Sequence, residues 1–369
     1  MNMEALIPIS MDIFTDGMVI PCDVYDTRGM SLILKKGRTM TALTMERLYQ
    51  HNQHGDGLLV SVENYQMLVA QNIIHDELSK DNEFLIKKLK QTKLEKETGF
   101  AEIKDGVREL FSMSEQTKII QHDKTRDVSA EVSHRLEVTE PDTIISLVNM
   151  LASVDEYLHR HSVNVSMLNG LIGRWMGFSR EDVDLLVTIG LTHDCGKAMI
   201  PLDVLNAPRR LSRVEFEIIK MHSIHSFSLL ADFPEAVRYS ARGHHEKICG
   251  KGYTDGLARD KIPVMARITA VSDIYDAMVS RRVYKEPRSP FQIMVQLKEL
   301  SGTDLDPVIV DVFTNYMPKE LVNKPVLMSN GETCVIGGID PDDLEYPYVW
   351  IGDKLLKTDK QWYCSSMEL

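Results

Sequence analysis

The stretch VDLLVTIGLTHDCGK, residues 183–197, decides how the rest of the chain is read. Val183, Leu186, Val187, Gly190 and Leu191 recur at the three- and four-residue spacing of one helical face, the pattern of an amphipathic helix whose apolar stripe faces a core. That helix leads straight into His193 and Asp194. Similar periodicity begins at Ile144, Leu147, Val148, Leu151 and Val154 and continues across residues 142–320. The main body is therefore expected to be all-α.

Outward from this body the pattern changes. Residues 1–73 hold short apolar runs broken by turn formers, as in DGMVIPCDVYDTRGMSLILKKG (residues 16–37), which suggests a small β-rich N-terminal module; a regulatory or dimerising role is the default for it. Residues 74–141 are rich in Lys and Glu, with Ile103, Val107, Leu110 and Phe111 on one helical face, and read as a helical linker. Residues 321–369 contain SNGETCVIGGIDPDD and YPYVWIG, turn-rich short runs that read as a β-rich C-terminal appendage. The fold class expected is mainly α, a helical catalytic domain at 142–320 with a small β-rich module on either side.

A chain of 369 residues has ample material for a buried core. Its five cysteines, Cys22, Cys195, Cys249, Cys334 and Cys364, are scattered and never spaced as CxxC, so neither a disulfide framework nor a zinc ribbon is indicated. The first residues lack a basic stretch followed by an apolar run, and no apolar segment reaches bilayer length. A cytoplasmic protein with no membrane partner is expected. With 54 acidic against 42 basic residues and a formal net charge of −12, attraction to long nucleic acids is disfavoured. A small anionic ligand needs only local positive charge, which bound metal ions can supply.

Five of the twelve histidines and two aspartates fall in a set of recognisable motifs: DEYLHRHS with His161, THDCGK with His193 and Asp194, KMHSIHS with His222, GHHEK with His244 and His245, and AVSDIYDAM with Asp273. Imidazole nitrogen and carboxylate oxygen suit divalent ions, and one Asp can bridge two of them. Asp194 is the natural bridge. With no thiolate in the set, iron or manganese is expected ahead of structural zinc. Two such ions bring four positive charges against two carboxylates, leaving a site able to hold a phosphodiester and activate a water. Lys197, three residues after Asp194, faces the same way if this segment is helical and can stabilise phosphate charge or protonate a leaving oxygen, or simply pair with a carboxylate. His159 and His225 read more simply as surface or supporting residues, Cys195 as a small buried residue, and the twenty methionines as packing.

In order, HDCGKAMIP (193–201), HxxxS (222–226), HHEKICGKGYTDGL (244–257) and DIYDAMVSRRVYK (273–285) resemble the HD-GYP family of bacterial cyclic di-GMP phosphodiesterases, over roughly residues 150–300. The resemblance implies that His161, His193, Asp194 and Asp273 bind one metal, and Asp194, His222, His244 and His245 a second, with Lys197 the catalytic lysine. It also implies that Arg282 and Lys285 reach a substrate phosphate with Tyr284 nearby, and that Asp276 is a supporting partner. The KGYTDGL stretch, with Gly252 and Tyr253, reads as a lip of the site and as a surface for a signalling-protein partner. Glu246 is either an acceptor orienting an imidazole or a solvated side chain.

Two departures stand out. The family's Gly-Tyr-Pro is Gly252-Tyr253-Thr254 here, which loses a ring that fixes φ; proline is not a ligand, so chemistry is expected to survive. Some members carry a glutamate four residues before the first ligand histidine, where this chain has Tyr157, and two metals are expected rather than three. The implied function is hydrolysis of a cyclic dinucleotide, cyclic di-GMP foremost, to linear pGpG and on to GMP, by a water activated between the metals. The rivals are a phosphohydrolase for another nucleotide such as cyclic GMP-AMP, and a non-catalytic cyclic-dinucleotide receptor. A homodimer is a further expectation.

Overall fold

In the computed structural model, helical periodicity governs the middle of the chain and short alternating runs pair as strands near both ends. It describes residues 6–9, 14, 17–26, 32–41, 44, 58–61, 99–117, 119–149, 157–207, 209–279, 288–352 and 354–367, of which the side chains at 6–9, 26, 32, 58–61, 111, 113–116 and 157–159 are excepted. The chain divides into two units, residues 1–93 and 94–369.

The first unit holds β1 (Leu6–Ile9), β2 (Val24–Asp26), β3 (Leu32–Leu34) and β4 (Leu58–Ser61). They form an antiparallel sheet in the order β1-β4-β2-β3, with Ile7 opposite Val60 and Tyr25 opposite Leu59. Ile20, Cys22, Val24, Leu34 and Met40 are buried within it.

The second unit begins with α1 (Phe100–Thr117), α2 (His122–Val138) and α3 (Pro141–Asn149), followed by α4 (Tyr157–Trp175) and α5 (Arg180–Thr192). Next come α6 (Leu202–Leu205), α7 (Arg213–Leu229), α8 (Glu235–Gly243), α9 (Val264–Val279), α10 (Pro290–Leu300) and α11 (Pro307–Leu321). Ile103, Val107 and Leu110 of α1 and Val132 and Leu136 of α2 are buried in the same core as Leu168, Leu186, Val187, Val271, Tyr275, Phe291 and Phe313. The charged faces of α1 and α2 thus conceal apolar stripes that the central helices cover. Residues 74–98 lie outside the described residues.

After α11 the chain forms β5 (Pro325–Met328), β6 (Thr333–Asp340), β7 (Asp343–Ile351), β8 (Lys354–Lys357) and β9 (Cys364–Met367), an antiparallel sheet in the order β8-β7-β6-β5-β9. Val326, Met328, Ile336 and Val349 extend the helical core into this sheet. Together the two sheets and the helical body agree with the fold class expected from the sequence. Among the described residues no helix is long and apolar enough to cross a membrane.

One hairpin matters most for the site. Gly177 (φ 75°) ends α4 in the left-handed conformation, with Gly177 N–H donating to Arg174 O and Phe178 N–H to Gly173 O, both 3.0 Å. This is a Schellman termination, which glycine permits without a Cβ penalty. Ser179 then caps α5, its Oγ accepting from Asp182 N–H at 3.1 Å, a contribution of about 1 kcal/mol. The two helices lie backbone to backbone at Gly190, where a Cβ would stand 2.3 Å from Ser166 Cα. That contact brings the end of α5, with its HD pair, beside His161.

Candidate metal centre

Five elements deliver the clustered side chains. His161 comes from α4, His193 and Asp194 follow α5, His222 lies on α7, His244 and His245 follow the last turn of α8, and Asp273 lies on α9. A 3-10 turn, Cys195–Met199, follows Asp194. Its Gly196 touches α7 so closely that a Cβ would sit 2.0 Å from His222 O, and only glycine fits without a backbone shift. Ser226 fastens the same contact: its hydroxyl accepts from Gly196 N–H and donates to His193 O, both at 2.8 Å. The HxxxS spacing thus places a ligand-type histidine and the tie that positions it one turn apart.

The side chains fall into two overlapping groups. Asp194, His222, His244 and His245 offer ligand-type atoms within 4.8 Å of one another, and so do His161, His193 and Asp273. Asp194 stands between them: Oδ2 is 3.3 Å from His193 Nε2 and 3.5 Å from His161 Nε2, while Oδ1 is 3.3 Å from His222 Nε2 and 3.9 Å from His244 Nε2. His161 Nε2 is also 3.2 Å from Asp273 Oδ1, and His245 Nδ1 is 4.0 Å from Asp273 Oδ2.

Hydrogen bonding fixes which ring edges face inward. Nδ1 of His193, His222 and His244 donates to Gly190 O, Ile219 O and Ala241 O at 2.8, 2.6 and 2.8 Å. A carbonyl only accepts, so each Nδ1 carries a proton, and in the neutral form of such a ring it is a bare Nε2 that faces Asp194. His161 Nδ1 likewise donates to Asp276 Oδ2 at 2.7 Å. Burial holds His222 below the usual histidine range, holds His244 well below it with help from the neighbouring imidazoles, and pushes His245 down to about 3. Burial would raise the carboxyls of Asp194 and Asp273. The Lys197 ammonium nevertheless holds Asp194 well below its normal value.

The result is a knot of acceptors facing acceptors. His222 Nε2 and His244 Nε2 are 3.5 Å apart, and the buried His193 Nε2 and Asp194 Oδ1 have no hydrogen-bond partner. Lone pairs converging in a buried space are costly unless a cation stands among them. A divalent ion fits this donor set of nitrogen and oxygen, and the His/Asp cluster can bind metal.

Lys197 lies in the 3-10 turn and pairs with Asp194 Oδ2, at the i,i+3 spacing that this tighter helix eclipses. Asp276, fully buried, accepts from His161 through Oδ2 and from Asn164 Nδ2 through Oδ1, each at 2.7 Å. Asn164 was not foreseen from sequence; its one signal is a position one helical turn after His161.

Glu246 is buried and accepts backbone N–H groups of Asp255, Gly256 and Leu257 at 2.6, 3.0 and 3.0 Å. It holds the loop rather than an imidazole. Arg242 makes a bidentate pair with Asp255, both bonds 2.7 Å. Gly252 fits where a Cβ would come 2.4 Å from Lys247 N, and Tyr253 lays its ring 4.7 Å from that of His245. Burial, then Asp194 and Asp273, raise the Tyr253 phenol, which stays neutral. Cys195 is buried, its thiol pushed up to about 12 by desolvation, which makes it a packing residue rather than a nucleophile. Arg282, Tyr284 and Lys285 lie outside the described residues, as does the side chain of Tyr157.

Residues 146–309 match the HD domain. A cyclic di-GMP phosphodiesterase of Thermotoga maritima is 35% identical over 185 residues, 49% of this chain and 50% of that protein. Another cyclic di-GMP phosphodiesterase, from Pseudomonas aeruginosa, is 30% identical over 236 residues, 63% of this chain and 56% of its own. A 3'3'-cGAMP-specific phosphodiesterase of Vibrio cholerae is 27% identical over 185 residues, 49% of this chain and 35% of its own. The chain thus spans about half the length of the first two relatives, and less of the third. The segment that matches the HD domain, residues 146–309, includes every residue of the two ligand-type groups.

Proposed function

We propose that this chain is a metal-dependent phosphodiesterase that opens a cyclic dinucleotide, cyclic di-GMP foremost, at a centre holding two divalent ions. The observation that carries the reading is the convergence of imidazole and carboxylate acceptors from both groups on the two oxygens of Asp194. Iron or manganese suits these ligands. When bound, the ions supply positive charge for the phosphate and an activated water.

The chain's own residues account for the rest. Asp194 serves both groups through separate oxygens, with His161, His193 and Asp273 on one side and His222, His244 and His245 on the other. Lys197 is positioned by Asp194 to stabilise charge on the departing ribose oxygen and to hand it a proton. Neutral Tyr253 and the Glu246-anchored loop form one wall. Arg282, Lys285 and Tyr284 would supply the phosphate contacts, and residues 142–320 the catalytic domain. The β-rich N-terminal module would serve regulation, with the 250–257 loop open to a signalling partner.

Cyclic GMP-AMP is the second substrate reading, favoured by the similarity to a 3'3'-cGAMP-specific enzyme. A panel of cyclic di-GMP, cyclic GMP-AMP and linear nucleoside mono- and triphosphates, given to anaerobically prepared protein loaded with iron or manganese, tests both readings. Preference for cyclic di-GMP is expected. Preference for a linear nucleotide would overturn the proposal, and binding of a cyclic dinucleotide with full metal but no turnover would make the chain a receptor.

A further inference from the structure

We infer that Asn164 is a positioning residue for the ligand edge of His161, acting through Asp276; the inference rests on the dinuclear reading above. Asn164, Asp276 and His161 are all buried, at 2%, 0% and 3% exposure. Asn164 Nδ2 donates to Asp276 Oδ1 at 2.7 Å, and Asp276 Oδ2 accepts from His161 Nδ1 at 2.7 Å. The far edge of that ring places Nε2 at 3.2 Å from Asp273 Oδ1 and 3.5 Å from Asp194 Oδ2.

The chemistry of each member sets its role. A carboxylate can rotate and offer either oxygen, so by itself Asp276 does not fix the imidazole plane. The amide donor on Oδ1 makes rotation cost a buried hydrogen bond, which locks Oδ2 onto Nδ1. Nδ1 then keeps its proton, and Nε2 keeps its lone pair aimed at the metal group. Asparagine suits the position because it presents a donor to the carboxylate and carries no charge. The relay also spans two elements: Asn164 and His161 lie one turn apart on α4, while Asp276 lies one turn beyond Asp273 on α9. It therefore sets the separation of two ligand-type side chains, His161 and Asp273, that the chain brings from different helices.

Asn164→Leu keeps the approximate size and removes the donor; Asn164→Ala removes the donor with a smaller, uncharged side chain, and is read in the same way if the first variant does not fold. Two measurements decide the matter. Ring-nitrogen NMR of His161 in metal-free protein reports its tautomer, and stepwise manganese titration with a competing chelator reports each ion's affinity. The wild type is expected to show His161 wholly as the Nδ1–H form and to take up two ions. In the variants His161 becomes a tautomer mixture, and one ion weakens by about 10–100-fold while the other stays within about twofold of wild type. An unchanged His161 tautomer with two unweakened ions would overturn the inference, as would equal weakening of both ions together with a lowered melting temperature, the signature of a simple interhelical tie. If the wild type itself takes up fewer than two ions, the dinuclear reading fails, and the tautomer alone decides the role of Asn164.

Discussion

Asp194→Asn tests the acceptor cluster most sharply, because the substitution helps the metal-free protein in one respect while disabling the loaded one. Each oxygen of Asp194 faces an imidazole Nε2 at 3.3 Å, His193 on one side and His222 on the other. An amide NH2 in that place can donate to one of them, a gain of about 1 kcal/mol. Against this stands the lost pair with Lys197, whose side chain is 24% exposed, so solvent screening keeps the loss to about 1 kcal/mol as well. The metal-free variant should therefore melt within a few degrees of wild type. With manganese at a hundred times its dissociation constant, each site of the wild type gains about 2.7 kcal/mol. At 2–4 °C per kcal/mol, one such site raises the melting temperature by about 5–10 °C. The variant lacks the bridging negative charge and should gain less than about 2 °C, with turnover down at least about 100-fold. Differential scanning fluorimetry across a manganese titration, paired with product chromatography, reads both. A variant that shows the full metal-induced rise, or turns over with its metal content verified, would refute the reasoning.

Three further outcomes follow from the geometry. His222, His244 and His245 have folded-state pKa values depressed by burial; such groups contribute no penalty above their unfolded value near 6.5, and as pH falls below it the unfolded chain takes up protons that the folded chain refuses. Metal-free protein should therefore lose stability between pH 7.5 and 5.5, by about 1.4 kcal/mol for each of these histidines that stays unprotonated throughout, and equal melting temperatures at those two pH values would contradict this. Gly196→Ala forces a Cβ to within 2.0 Å of His222 O, so the variant should lose about 1–3 kcal/mol or more and weaken metal binding, as denaturation and chelator competition would show; wild-type behaviour in both would mean that the contact is slack. Glu246→Gln replaces charge-assisted acceptors of three backbone N–H groups and should cost about 1.5–3 kcal/mol locally, visible as faster hydrogen exchange at Asp255, Gly256 and Leu257; unchanged exchange would show that the loop is held by other contacts.

Much of the centre was legible in the sequence because its chemistry is written in side-chain type. His161, His193, His222, His244, His245, Asp194 and Asp273 each stand out in a polar motif within an apolar helical frame, and the structure brings all seven together. What the motifs do not carry is the packing that makes this possible. Gly190 and Gly196 act by lacking a Cβ where two backbones touch, and such a need depends on a neighbour distant in sequence. Asn164 is one polar residue in a helix until Asp276 of α9 lies against it. Glu246 follows two conspicuous histidines, which suggests an imidazole partner, yet its carboxylate reaches nine to eleven residues ahead to the backbone of 255–257. The helices α1 and α2 read as a linker because their Lys and Glu content outweighs their apolar stripe, although Ile103, Val107, Leu110, Val132 and Leu136 are all buried. Composition records a helix's exposed face as fully as its buried one, and only tertiary contact distinguishes them.

The most direct test of the central claim is anomalous diffraction at the manganese or iron edge from crystals of the loaded protein. Two peaks flanking Asp194 are expected, one among His161, His193 and Asp273 and the other among His222, His244 and His245. A single peak, or none at full occupancy of the crystal with metal, would contradict a dinuclear centre built on that aspartate.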